Sequence, residues 1–159
     1  VRRIRYGSAR RTLTALAATA LVTAGSCSGD PEPAIRAVDP VIGASDGDAA
    51  ALYLGVTNDG DDELHLVGAR CDCAERTSLH MTRDLDGIAM MTVVESLPVP
   101  GGETVELRPG GSHIMLEGLR APLRTGSVVE VTLELDRSEP IELEVPVVAL
   151  ESLNERVPR

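Results

Sequence analysis

From about residue 35 onward, apolar and polar positions alternate on a two-residue period. Val129, Val131, Leu133 and Leu135 are interleaved with Glu130, Thr132 and Glu134, and Ile141, Leu143 and Val145 with Glu142 and Glu144. A period of two sends successive side chains to opposite faces, so these segments predict antiparallel strands with one buried and one wet face. Apolar runs over 50–57, 64–69, 77–82, 91–95 and 103–107 predict further strands. Asn58-Asp59-Gly60 predicts a hairpin after the first of these. Pro100-Gly101-Gly102 and Pro109-Gly110-Gly111 predict turns on either side of 103–107. No stretch beyond residue 26 holds a helical period. Roughly seven to nine short strands with regularly spaced turns predict an all-β fold, a Greek-key β-sandwich or barrel, over residues 36–149. Residues 150–159 are polar and predict a loose C-terminal tail.

The first 26 residues differ in kind. Arg2, Arg3, Arg5, Arg10 and Arg11 form a basic region, and residues 13–24 are apolar. Ala24-Gly25-Ser26 then precedes Cys27. A basic stretch, a short apolar stretch and small residues make a secretory signal. A spanning helix needs about 20 apolar residues, so the segment predicts export and not a membrane span. Ala-Gly-Ser-Cys resembles a bacterial lipobox, with Cys27 as the lipidated residue. Residues 27–35 (Ser, Gly, Asp, Pro) read as a flexible tether to the extracytoplasmic membrane face, or into the periplasm.

Composition narrows the function classes. The chain of 159 residues has a formal charge of −10. Because the acid-free signal holds five of the 15 basic residues, the remainder is more acidic still. Such a surface repels nucleic acid. With no Phe or Trp and two Tyr, stacking platforms for bases are also missing. The expected exported domain is a monomer that binds no nucleic acid.

His and Met are scarce, three and four residues, yet they cluster. Leu79-His80-Met81, Met90-Met91 and His113-Ile114-Met115 contain all four Met and two of the three His. On a strand, His113 and Met115 project from one face while Ile114 and Leu116 project from the other. Imidazole with thioether is a soft ligand set that favours Cu(I) over zinc and hard cations. The full spacing is H-x10-M-x21-H-x-M over His80, Met91, His113 and Met115. Met81 and Met90 are candidate accessory metal residues, but as neighbours of proposed ligands they should point the other way, as packing or rim residues, unless a bulge exchanges Met90 for Met91.

This spacing resembles the signature of PCuAC-type periplasmic copper chaperones. The segments 51–61, 109–119 and 122–126 are also similar to that family, and the likeness extends over about 36–148. The resemblance implies a cupredoxin-like β-sandwich that is not an enzyme. It implies one Cu(I) held by His80, Met91, His113 and Met115. It further implies delivery to the dinuclear copper centre of a membrane respiratory oxidase subunit, directly or through an intermediary copper or thiol protein. All four ligands are neutral, so loading requires no thiolate.

Cys71-Asp72-Cys73 lies outside that signature. A disulfide, a second soft-metal site accessory to the first, and two inert thiols are all open for this pair. A thiol oxidoreductase would use it, but the usual C-x-x-C at a helix start is missing. A blue-copper carrier would need a Cys thiolate close to a His, and Cys73 is too far before His80. An interaction lipoprotein that binds no metal is the remaining alternative. His65 is expected to be a solvent-facing strand residue, and the acidic turn around Asp59–Glu63 to be solvated.

Overall fold

The computed structural model describes residues 35–85 and 87–156. The predicted signal, Cys27 and the tether lie outside the described residues, except for the tether's last residue, Ile35. Ten strands form: β1 (Ile35–Gly43), β2 (Ala49–Asn58), β3 (Leu64–Arg70), β4 (Ala74–Leu85), β5 (Ile88–Val94), β6 (Leu97–Val99), β7 (Thr104–Leu107), β8 (Ser112–Leu119), β9 (Val128–Leu135) and β10 (Ile141–Val148). The all-β, cupredoxin-like expectation holds, with slightly more strands than the alternation marked. Strand order is β5-β4-β8-β2-β1-β10-β9-β3-β6, and β7 also pairs with β2. All strand pairs are antiparallel except β1–β10, which joins at Ile42↔Val147 and Gly43↔Val148.

That parallel seam links two layers over one core. β2, β4 and β8 contribute Leu52, Leu54, Val56, Leu79, Ile114 and Leu116 from one side. β3, β6, β9 and β10 contribute Leu66, Val99, Val131, Leu133 and Val145 from the other. The alternation of β9 appears directly as burial of Val129, Val131, Leu133 and Leu135. Aliphatic side chains fill the whole core, as a chain without Phe or Trp requires.

Two expectations need correction. Asn58-Asp59-Gly60 does not close a hairpin, because β2 pairs with β1, β7 and β8 whereas β3 pairs with β6 and β9. The turn is a crossover between layers. The Asn58 side chain organises it: Nδ2 donates to Asp62 O (2.8 Å) and Val99 O (2.9 Å), and Oδ1 accepts from Gly60 N–H (3.0 Å). A buried side chain that holds three backbone groups at once fixes a loop path that a two-residue hairpin turn could not follow. Gly101 is required nearby, since a Cβ there would lie 2.3 Å from Asp61 O.

Of the tail expected over 150–159, residues 157–159 lie outside the described residues, and the rest is not loose. Leu150–Arg156 forms a seven-residue helix, α1. Leu153, 7% exposed, packs with Val41 and Val148. One buried leucine anchors this helix, too few for a helical period to show in the sequence.

Candidate metal centre

Register places the predicted ligands. His80 pairs directly with His113 across β4–β8 and with Val93 across β4–β5. Met115 pairs with Ser78 on β4 and with Ala51 on β2. Met91 pairs with Thr82, two residues along from His80. Directly paired residues share a face, as do residues two apart. His80, Met91, His113 and Met115 therefore project from one face of three adjacent strands. Leu79, Ile114 and Leu116 project from the other and are buried, which ties the ligand face to the core by strand geometry alone.

The His rings are adjacent, with centroids 5.4 Å apart. Tyr53 stands on the other side of His113, with ring centroids 6.1 Å apart. Met91 is diagonal to His80, and such cross-strand neighbours lie about 7–8 Å apart, within reach of long side chains. Accessibility is graded across the face: His113 is 5% exposed, His80 and Met115 are half-buried, and Met91 is 53% exposed. The centre thus has a buried, aromatic-backed end and an open end at the β5 edge.

The environment of His113 sets its protonation. Burial pushes its pKa below the ordinary 6.5; the bond to Gly111 O opposes this, and His80 adds slightly to it. A neutral imidazole is the form that binds metal. His113 Nδ1 lies 3.2 Å from Gly111 O. A carbonyl only accepts, so Nδ1 carries the proton and Nε2 keeps the lone pair. His80 Nδ1 is buried without a hydrogen-bond partner. A buried nitrogen without a partner is costly, and its free lone pair is available to a bound ligand.

Among the described residues, no three His, Cys, Asp or Glu side chains come together in a way that could hold a metal. The thioether sulfurs of Met91 and Met115 share the face with the two imidazoles. Two imidazoles with two thioethers favour Cu(I), whereas Ca²⁺ and Mg²⁺ require oxygen cages.

Met81 and Met90 project from the opposite face: Met81 pairs with Ser112 and Thr92, and Met90 with Arg83. Met81 packs on the core and its sulfur accepts from Arg83 Nε (3.3 Å). The β4–β5 register runs unbroken from Leu79 to Leu85, so no bulge exchanges Met90 for Met91. Cys71 and Cys73 are joined by a disulfide in the β3–β4 connection. This arrangement offers no thiolate to a metal. Cys73 is also seven residues before His80, about 23 Å along an extended strand. The blue-copper arrangement lacks its ligand for the same reasons. His65 Nδ1 lies 3.2 Å from Asp136 Oδ2 and its Nε2 3.6 Å from Glu63 Oε1, so the half-exposed ring is held by carboxylates.

The sequence reading missed the residues that surround the ligands. Tyr53, Ser78 and Glu117 all belong to the ligand face. Ser78 is two before His80 and Glu117 two after Met115, so alternation alone could have placed them. Arg76 pairs with Glu117 and continues the row.

Known proteins agree with this architecture. The Cu(I)-bound solution structure of DR1885 from Deinococcus radiodurans is 28% identical, with TM-score 0.59, covering 79% of this chain and 84% of that one. A copper-bound PCuAC domain from PmoF2 shares the fold at TM-score 0.63 and 22% identity, over 73% of this chain and 93% of that one. The "Putative lipoprotein Lxx21020" of Leifsonia xyli subsp. xyli is 38% identical over 106 residues, 66% of this chain. The match spans 64% of that relative's length, less than two thirds. The family model "Putative lipoprotein LpqE-like" matches residues 32–147. With most of its length matched by that model, the chain belongs to the LpqE-like family.

Proposed function

We propose that this protein is an extracytoplasmic copper carrier that binds one Cu(I) through His80, Met91, His113 and Met115. The observation that carries the reading is the register of β5, β4 and β8, which gathers two imidazoles and two thioethers on one face. The Cu(I)-bound state of the 28%-identical DR1885 supports the choice of metal. The protein binds and releases; it is not an enzyme. Neutral thioethers hold copper less tightly than thiolates, which suits transfer, and they resist disulfide formation in an oxidising compartment. The exposed Met91 marks the side from which an acceptor would take the metal. The proposed acceptor is the dinuclear copper centre of a respiratory oxidase subunit, reached directly or through an intermediary copper or thiol protein. A lipid on Cys27 would hold the carrier at the membrane surface.

The test is transfer. The Cu(I)-loaded chain is mixed with the metal-free soluble domain of an oxidase subunit, and the two are separated and assayed for copper. Movement of the metal to the oxidase domain, lost in Met91→Ala and Met115→Ala, is the expected result. Retention by a loaded wild-type carrier in the presence of excess acceptor would contradict direct delivery.

A further inference from the structure

Behind His80 lies a row of polar side chains that the metal-ligand pattern does not use. Ser78 Oγ is 2.9 Å from His80 Nε2 and 3.0 Å from Glu117 Oε2. Glu117 in turn accepts two bonds from Arg76, from Nε at 3.1 Å and from Nη2 at 3.0 Å. The rungs Arg76↔Glu117, Ser78↔Met115 and His80↔His113 place the whole row on the ligand face.

Proton counting gives the row a direction. Arg76 remains protonated and only donates. Both Glu117 oxygens accept from Arg76 and one also accepts from Ser78 Oγ, so the ion-paired carboxylate has no proton to donate and only accepts. The single hydroxyl proton of Ser78 must then go to Glu117. Toward His80, Ser78 can offer only a lone pair, so Nε2 must carry the ring proton. In neutral His80 that leaves the lone pair on Nδ1, the buried atom without a partner.

We propose that Ser78 and Glu117, anchored by Arg76, are positioning residues that lock His80 as its Nε2–H tautomer and make Nδ1 its copper-ligating nitrogen. His113 is held in the opposite sense, with Nδ1–H on Gly111 O and Nε2 free. The two imidazoles thus present different nitrogens, each fixed by its own partner. Orienting a ligand through its second nitrogen fixes the tautomer before metal arrives, and losing such a partner costs roughly 10–100-fold in metal affinity. The assignment of Nδ1 as a ligand rests on the copper reading; the tautomer does not.

The experiment reads both, using the ¹⁵N-labelled full chain under anaerobic conditions. Long-range ¹H–¹⁵N spectra of the metal-free protein, recorded above the His titration range, report which nitrogen of His80 is protonated. The expected result is one tautomer, with the proton on Nε2. Addition of Cu(I) should then shift chiefly the Nδ1 resonance of His80. In Ser78→Ala the metal-free spectrum should show mixed tautomers, with Cu(I) affinity about tenfold lower, the low end of the usual range. Ser78→Thr, which restores the hydroxyl, should recover both. A proton on Nδ1 in the wild type, or an unchanged tautomer in Ser78→Ala, would overturn the relay even if copper binds normally. The expected tautomer in a chain that binds no Cu(I) would leave the relay standing and overturn the ligand assignment together with the copper reading.

Discussion

Asn58→Asp isolates the crossover that the sequence presents as a hairpin. The replacement is nearly isosteric, so packing is unchanged and only hydrogen bonding is perturbed. Asn58 is 1% exposed, and its Nδ2 serves Asp62 O and Val99 O. A carboxylate keeps the bond from Gly60 N–H but turns both donor contacts into oxygen facing oxygen. Each buried acceptor left without its donor costs about 1–3 kcal/mol. The Val99 acceptor is buried and carries this cost, whereas Asp62 is exposed and its carbonyl can turn to water, so the deficit is about 1–3 kcal/mol out of the roughly 5–15 kcal/mol typical of whole domains. The carboxyl can recover one donor by taking a proton, and burial raises its pKa. The deficit relative to wild type should therefore narrow as pH falls. Urea unfolding of both proteins at several pH values measures this difference, with the wild type cancelling any shared acid effect. The midpoint should fall with little change in slope. Cu(I) affinity of the folded variant should be unchanged, because Asn58 lies six residues beyond Leu52, where β2 last pairs with β8, about 20 Å along the strand. A deficit under about 1 kcal/mol, or one that does not narrow in acid, would refute the assignment of Asn58 as the organiser of the crossover.

Other expectations follow from the same geometry. Because burial lowers the pKa of His113 below 6.5, the folded state binds fewer protons than the unfolded state between its folded value and 6.5. The stability this group contributes is complete above pH 6.5 and is lost as pH falls through the folded value; urea melts of metal-free His113→Gln should show a flatter acid limb than wild type. Changing Cys71 and Cys73 together to Ser opens a three-residue loop, which costs about 1–2 kcal/mol on the loop-entropy scale, and Cu(I) affinity should not change; loss of binding would make the pair part of the site. Met81→Leu and Met90→Leu should leave Cu(I) affinity near wild type. Met91→Leu and Met115→Leu should each lose at least the 10–100-fold that removal of an outer-shell partner costs, and competition with a chelator measures all four.

Legibility from sequence followed the strength of local alternation. β9 and β10 alternate cleanly because one face is buried and the other wet, and both were readable residue by residue. β1 gave no such signal, since its register shifts between Val38 and Val41, with Asp39 at φ 47° and Pro40 in between. β6 has three residues, too few for a period. Asn58-Asp59-Gly60 misled because the same dipeptide chemistry serves hairpins and Asx-type crossovers; only the partner of Nδ2, Val99 across the core, distinguishes them. The His and Met positions stood out by scarcity and spacing. Alternation also separated Met91 and Met115 from Met81 and Met90. Alternation could place Ser78 and Glu117 on the ligand face, but the contacts that join Arg76, Glu117 and Ser78 into a row depend on how β4 pairs with β8, a long-range register that no local pattern encodes.

The central claim is that two His and two Met on one sheet face hold a single Cu(I). An anaerobic Cu(I) titration of the full chain against a chromophoric chelator, with Cys71 and Cys73 both changed to Ser, tests it most directly. The account predicts one tight equivalent that disappears when His113 and Met115 are changed to Ala. Failure to bind Cu(I) once the two cysteines are gone would contradict the four-ligand site and move the function to the Cys71–Cys73 pair.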